Sequence, residues 1–450
     1  MHDQIHTTAC PECDLLLSFS ETLANHSLCC PRCGCQVHKR ISDWLEKTLV
    51  LSATGLLLYL PALLLPLMTL ETLGMTDSGN VLDTILVFYK NGYFVVALVV
   101  LISAVFLPLL LLSLIFTISL SLTLHRYPTF LLKLFRLYIF LEEWAMVEIY
   151  LLGIMVTIMK MRHTAEIHFN PGFFCFTVLV LISMGISTFL DKEQIWSTIA
   201  AKGGERPSGD GLPTAAPENE HAAQPQTALR SGLVLCHTCR QLQALQPGAA
   251  EPSVPCTRCG SLIHSRKPDS ISQTSALILT SAFLLIPANI LPIMQVQFMG
   301  VPEYSTIVDG IRFFFQDGAY LIGLIILTAS VLVPIFKIFG LVILLYTTSF
   351  QRNFYLREKA ILFRFISFIG RWSMLDIFVI ALLTVLVNFG FFTSIHAAPA
   401  ATYFCIVVTS TMFAATTFDP RLMWDSCRPD ERSTDPVPPR VSPSSSIDPL

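Results

Sequence analysis

Residues Tyr320–Tyr346 read YLIGLIILTASVLVPIFKIFGLVILLY, a long apolar run with one charged side chain, Lys337. At about 1.5 Å per residue such a helix outspans the ~30 Å hydrocarbon core of a bilayer. The run therefore predicts a transmembrane helix. Lys337 falls near its middle, and Ser330, seven residues earlier, shares its face two turns away. A lysine at that depth costs about 2.5–3.5 kcal/mol on insertion scales, and ionisable groups inside spans are functional by default.

The composition extends this reading to the whole chain. Of 450 residues, 53% are hydrophobic and only 14% charged, against about a quarter charged in soluble domains. The mean hydropathy is +0.61. A net charge of −3 argues against nucleic acid as a partner. The start, MHDQIHTTACPECD, lacks a basic segment followed by an apolar one, so no cleaved signal peptide is expected. Eight of the 13 cysteines stand in Cys-x-x-Cys pairs, which suits metal binding in a reducing compartment better than disulfides.

Those pairs reveal a duplication. Cys10, Cys13, Cys30 and Cys33 recur as Cys236, Cys239, Cys256 and Cys259, each 226 positions later. The same offset carries His38 to His264, Pro61 to Pro287, Pro66 to Pro292 and Pro108 to Pro334. After a two-residue insertion it becomes 228, carrying Arg136 to Arg364, Trp144 to Trp372, Asp191 to Asp419 and Trp196 to Trp424. A shared register of this length is the signature of a repeat, here in parallel sense.

The expected fold is an all-α polytopic membrane protein of two tandem repeats, each a four-helix transmembrane unit preceded by a small cytoplasmic zinc ribbon. The spans are read as 47–70, 94–120, 138–160 and 173–190, then 274–295, 320–346, 365–389 and 399–418. The domains are ribbon 1 (1–45), unit 1 (46–198), a flexible linker (199–230), ribbon 2 (231–268), unit 2 (269–426) and a disordered tail (427–450). Basic residues crowd the loops 121–137 and 349–364, so the positive-inside rule puts both ribbons and both termini in the cytoplasm. On the outer side, 83–94 and 309–320 read as interfacial amphipathic helices, with Asp83 and Asp309 as N-caps and Gly92 and Gly318 as stops.

Two Cys-x-x-Cys knuckles supply the four thiolates of a closed tetrahedral site, which leaves no coordination position for catalysis. The predicted cofactor is one structural Zn²⁺ in each ribbon, a staple for a module too small to fold unaided. Iron is the minor alternative. Cys29 and Cys35 leave the ligand set of ribbon 1 open. His38 and His264 read as packed.

Comparison of the copies singles out polar residues that only one half carries within the spans. Ser330 stands where the first copy has Ala104, Lys337 where it has Leu111, Ser373 where it has Ala145, and Thr411 where it has Ser183. An acid recurs in both, as Glu148 and Asp376. Ser373 and Asp376 share a helix face. Lys337 with Asp376 makes either a structural ion pair or a proton relay. Arg371 is a competing partner, and the lone hydroxyls also suit bonds to their own helix. The paired prolines free backbone carbonyls at depth, which requires protein or a cavity to re-satisfy them.

CPECD with CCPRCG, CHTCR with CTRCG, and the strings LPIM, VLVPIFKIFG and GRWSMLDIFVIALL together resemble the paraquat-inducible protein A family of Gram-negative inner-membrane proteins. The likeness spans all but the linker and tail. It implies a non-enzymatic role beside a periplasmic mammalian-cell-entry (MCE) tunnel protein, loading membrane phospholipid into the tunnel or extracting it. It also implies that Ser330, Lys337, Ser373 and Thr411, with Glu148, form a polar pathway; Asp376 is added from the repeat. No GxxxxGK[ST] occurs, so no nucleotide is expected and energy would come from a proton gradient or a partner. Two other classes stay open: a scaffold that docks an MCE protein outside and cytosolic factors through its ribbons, and a thiol or iron redox protein.

Overall fold

The computed structural model describes residues 5–20, 27–39, 41, 43–72, 75–128, 130–161, 166–202, 226–244, 254–298, 301–316, 318, 320–351, 354–386 and 393–425. Most of the expected linker and all of the expected tail lie outside these residues. So do the side chains of Arg371 and Asp376.

The duplication governs the backbone. The first crossings are Trp44–Leu64 and Ser270–Ile290, offset by 226 at both ends. Each ends one residue before a proline pair takes effect: Leu65 and Leu291 are extended, because Pro66 and Pro292 exclude the helical conformation from the residue before them. The second crossings, Phe94–Thr123 and Gly323–Ser349, each contain a π-helical turn, at Leu101–Phe106 and Leu327–Leu332. Pro108 and Pro334 explain it. A helical proline lacks its N–H and collides with the carbonyl four residues back, here Ala104 and Ser330, and a widened turn moves that carbonyl aside. In unit 1 the Tyr59 hydroxyl donates to the Val105 carbonyl at 2.5 Å. Unit 2 has Leu285 at the Tyr59 position and so no donor there.

The third crossings differ from expectation. Neither 138–160 nor 365–389 is one helix. Phe130–Glu142 is followed by Val147–Met161, and Leu356–Trp372 by Leu375–Leu386. Among the described residues, six helices are individually long and apolar enough to span. The fourth crossings are Pro171–Phe189 and Ala400–Thr417.

Each unit also carries a three-stranded antiparallel sheet that hydropathy hid. Met68–Thr72 pairs with Met75–Gly79 and with Glu166–Phe169; Met294–Phe298 pairs with Val301–Ser305 and with Thr393–Ala397. The central strand follows the first crossing and the third strand follows the broken helix pair. The pair must therefore carry the chain from the ribbon side to the sheet side.

The amphipathic helices are Val81–Lys90 and Ile307–Gln316. Their caps are shifted from expectation. Asn80, not Asp83, is the first cap; its side chain accepts from Asp83 N–H at 2.8 Å while Asp83 accepts from Asn80 N–H at 3.2 Å. Thr306 and Asp309 repeat this reciprocal box. Asp83 and Asp309 thus hold the third helical position.

The units meet through the second halves of their third crossings. Val147–Met161 packs on Leu375–Leu386, where Gly153 admits the Phe378 side chain and the Tyr150 and Phe378 rings lie 5.3 Å apart.

Candidate functional site

Two candidate sites emerge, a pair of metal centres on one side and a buried lysine between the helices. Ribbon 1 is built from the hairpins Ile5–Ala9 with Leu16–Ser20 and Ser27–Cys29 with Gln36–Lys39. Ribbon 2 is built from Leu233–Leu235 with Leu242–Ala244 and Val254–Pro255 with Leu262–Ile263. All four knuckles close alike. The residue after the second cysteine turns left-handed (Asp14, Gly34, Arg240, Gly260) and donates its N–H to the first cysteine's carbonyl at 2.8–3.0 Å.

The thiols converge. Sγ–Sγ distances are 3.5 Å for Cys10–Cys33 and Cys13–Cys30, 3.6 Å for Cys236–Cys259 and 3.5 Å for Cys239–Cys256. A tetrahedron with ~2.3 Å metal–sulfur bonds needs about 3.8 Å, so each group is positioned to hold one metal ion. Cys29 is exposed and Cys35 lies outside the group of four. Ser261, the repeat counterpart of Cys35, lies 2.8 Å from the Cys259 sulfur.

Each ribbon docks on the other half's transmembrane unit. Arg364 of unit 2 donates to the Cys33 carbonyl and, at 3.1 Å, to the Gly34 carbonyl; its Nε lies 3.2 Å from Glu12. Arg136 of unit 1 donates to the Cys259 carbonyl of ribbon 2. Gly34 and Gly260, both at positive φ, leave room for these guanidinium groups. Apolar packing follows the same exchange. Cys10, Val37 and their neighbours join Leu341, Leu344 and Trp424, and Arg32 lies 4.3 Å over the Trp424 ring.

The last residues of the expected linker contact ribbon 1. Thr227 bridges to Leu15, and Asp14 accepts from the Ala228 and Leu229 N–H groups. His38 is also more than packed, since its Nδ1 lies 2.5 Å from Glu193.

Asp191 and Asp419 do one job in both repeats: each accepts the backbone N–H just before the first crossing, Ile41 and Lys267. Burial opposes the Asp419 charge, but bonds from Arg421 at 3.1 Å outweigh it and hold the carboxyl down at about 2. Asp419 and Arg421 are each 2% exposed at the side chain.

Lys337 lies midway along its crossing and is fully buried. Its Nζ donates to Ser373 Oγ at 3.3 Å. Ser373, 1% exposed, stands at the break between Leu356–Trp372 and Leu375–Leu386. The break is thus what turns this hydroxyl toward the lysine. Gly340 makes the approach feasible, since a Cβ there would fall 2.6 Å from Ile366.

Ser330 is buried in the π turn on the same helix. Thr411 is buried but bonds its own helix at the Val408 carbonyl, 2.9 Å away. Asp376 follows Ser373 by three residues, but its side chain lies outside the described set. Glu148 lies in unit 1. It lines a cavity made only of unit 1 residues.

Sequence reading missed a polar seam between the first and fourth crossings of unit 2. Ser281 and Ser410 hydroxyls lie 2.7 Å apart, and those of Thr274 and Thr417 lie 3.1 Å apart. The repeat carried a signal, because Ser281 replaces Gly55 and Ser410 replaces Ile182.

These features define a duplicated membrane protein with two groups of four cysteines, each positioned to hold a metal ion, and a lysine buried at mid-span. A profile of the family described as paraquat-inducible protein A matches residues 45–200 and 271–428, boundaries that repeat the 226 and 228 offsets. The chain belongs to this family. It is 30% identical over 418 residues to the intermembrane transport protein PqiA of Escherichia coli K12, covering 92% of this chain and 95% of that one. It is 31% identical to the lipophilic envelope-spanning tunnel protein A of the same strain, covering 93% and 91%. It is 28% identical to a probable intermembrane transport protein of Haemophilus influenzae, covering 92% and 95%. No solved structure matches.

Proposed function

We propose that this chain is an inner-membrane component of an envelope lipid-transport system, loading or extracting phospholipid at a periplasmic MCE tunnel protein. The names of its relatives support transport between membranes. The observation that carries the mechanism is the Lys337 ammonium enclosed at mid-span against Ser373. A cation there is costly, and a group that can gain and release a proton beside a hydroxyl offers a coupling step. Ser330, Lys337, Ser373 and Asp376 form the polar route in unit 2; Thr411 lines it and Glu148 belongs to unit 1. The metals are zinc with a structural role. Both ribbons and both termini face the cytoplasm, as the basic loops direct, and the sheets face the periplasm. In cells depending on this chain, Lys337→Ala should abolish envelope-lipid phenotypes at normal protein abundance. A fully active variant would refute the coupling role.

The exposed strand Val301–Ser305 and the exposed Phe313 and Phe315 favour a second reading, a scaffold that docks the tunnel protein there and moves nothing. Under it, charge substitution at Phe313 and Phe315 would abolish function and Lys337→Ala would not.

A further inference from the structure

The enclosed ammonium of unit 2 has a counterpart in unit 1, and there it is a cavity. Leu111 and Ala145, the repeat equivalents of Lys337 and Ser373, both line a space of about 100 Å³. By the same measure one water takes about 10–15 Å³, so there is room for several waters or a short amine. Leucine does not reach where the lysine reaches, and the space stays open.

The lining is chemically directed. Glu148 lines the cavity together with Pro108, which is mid-span on the second crossing. It is half-buried, although Ile149 and Tyr150 beside it are 4% and 0% exposed. The cavity is what keeps its carboxylate accessible. Ser183, the counterpart of Thr411, adds a hydroxyl. Towards the ribbon side the lining includes Glu142, whose Oε2 lies 2.5 Å from Lys192 Nζ. Glu142 is thus already paired, and Glu148 is the acid offered to an incoming group. A carboxylate lining a cavity can hold a cation, and the second repeat carries a primary ammonium, Lys337, at the position equivalent to Leu111 of this lining.

We propose that the unit 1 cavity is a binding site for a primary ammonium group, held by Glu148 and Ser183 where Lys337 supplies one covalently in unit 2. Two sources share that chemistry: the headgroup of an aminophospholipid and a free small amine.

The test uses the full-length protein in phosphatidylglycerol nanodiscs. Ethanolammonium chloride is titrated against tetramethylammonium chloride at equal ionic strength, and thermal unfolding is followed. Saturable stabilisation by ethanolammonium alone is expected, with half-saturation weakened about tenfold or more in Glu148→Gln. Leu111→Lys, which carries its own ammonium into the cavity, should be stabilised and no longer respond. Should that variant fail to fold, the isosteric Glu148→Gln comparison decides alone. Repeating the titration with phosphatidylethanolamine present separates the sources: a vanished response assigns the site to the headgroup, a retained one to the free amine. Equal responses to both salts, or wild type and Glu148→Gln alike, would overturn the proposal. No transport is read, so such a failure leaves the transport function standing.

Discussion

Lys337 Nζ and Ser373 Oγ lie 3.3 Å apart in the interior of unit 2, one on an intact crossing, the other at the break of a neighbouring helix pair. Burying that lysine costs stability that a thioether would not cost. Lys337→Met should therefore unfold at the same temperature as wild type or higher while losing transport. Melting curves beside a lipid-phenotype assay check this, and an active Lys337→Met protein would end the coupling argument.

Gly340 sets how closely the Ser373-bearing helix pair approaches. Gly340→Ala places a Cβ 2.6 Å from the Ile366 side chain, an overpacking cost of about 1–3 kcal/mol. Ile366→Val should recover much of it. Recovery in the double variant, measured by denaturation, is the expected outcome; additive losses would mean that this contact does not limit the approach.

The exchanged docking makes opposite predictions for two equivalent arginines. Arg364→Ala should speed amide exchange in residues 27–39 of ribbon 1, and Arg136→Ala in residues 254–263 of ribbon 2, each by about 1–2 kcal/mol of local opening. If each variant loosens the ribbon of its own half, the exchange of partners is wrong.

Metal content should be two zinc ions per chain, and a strong chelator should release both. Cys33→Ser should leave one and also loosen the unit 2 side of the interface at Leu341 and Trp424, since ribbon 1 packs there. Elemental analysis with tryptophan fluorescence reads both effects. Iron in place of zinc would revive the redox class.

Asp419 carries a pH prediction. Its folded carboxyl titrates at about 2, below the ordinary ~3.9. Its stabilisation is therefore complete well above the ordinary value and falls away progressively as pH drops from there through about 2. From pH 8 to 5 this contact should contribute no change in stability. Asp419→Asn, which leaves Arg421 buried without its carboxylate, should cost about 3–5 kcal/mol. A cost near zero by denaturation would show that Arg421 finds another partner.

Much of this protein was legible in one dimension. Eight cysteines at one offset specified two groups of four that converge as a metal ion would need, because a tetrahedral thiolate site needs only two knuckles at a permitted separation. The prolines kept that offset, and their shared chemistry produced π turns at matching positions. Lys337 was legible because hydrocarbon makes a charge conspicuous against its neighbours. The sheets were not read, although Met68–Thr72 (MTLET) and Met294–Phe298 (MQVQF) alternate apolar and polar residues, because the apolar run just before each one dominates its neighbourhood. The helix break at Ser373 was equally silent, because Trp372, Ser373 and Met374 are individually tolerable in a helix.

Linear order alone determined the duplication and the two groups of four cysteines, because each follows from spacing along a single chain. Only the folded arrangement decided which ribbon rests on which unit, that Glu148 lines a cavity of unit 1, and that one repeat holds a cavity where the other holds an amine. Those depend on the approach of segments hundreds of residues apart. There the size of a side chain such as Leu111, Gly340 or Ile366 settles what fits, and nothing in local sequence carries that information.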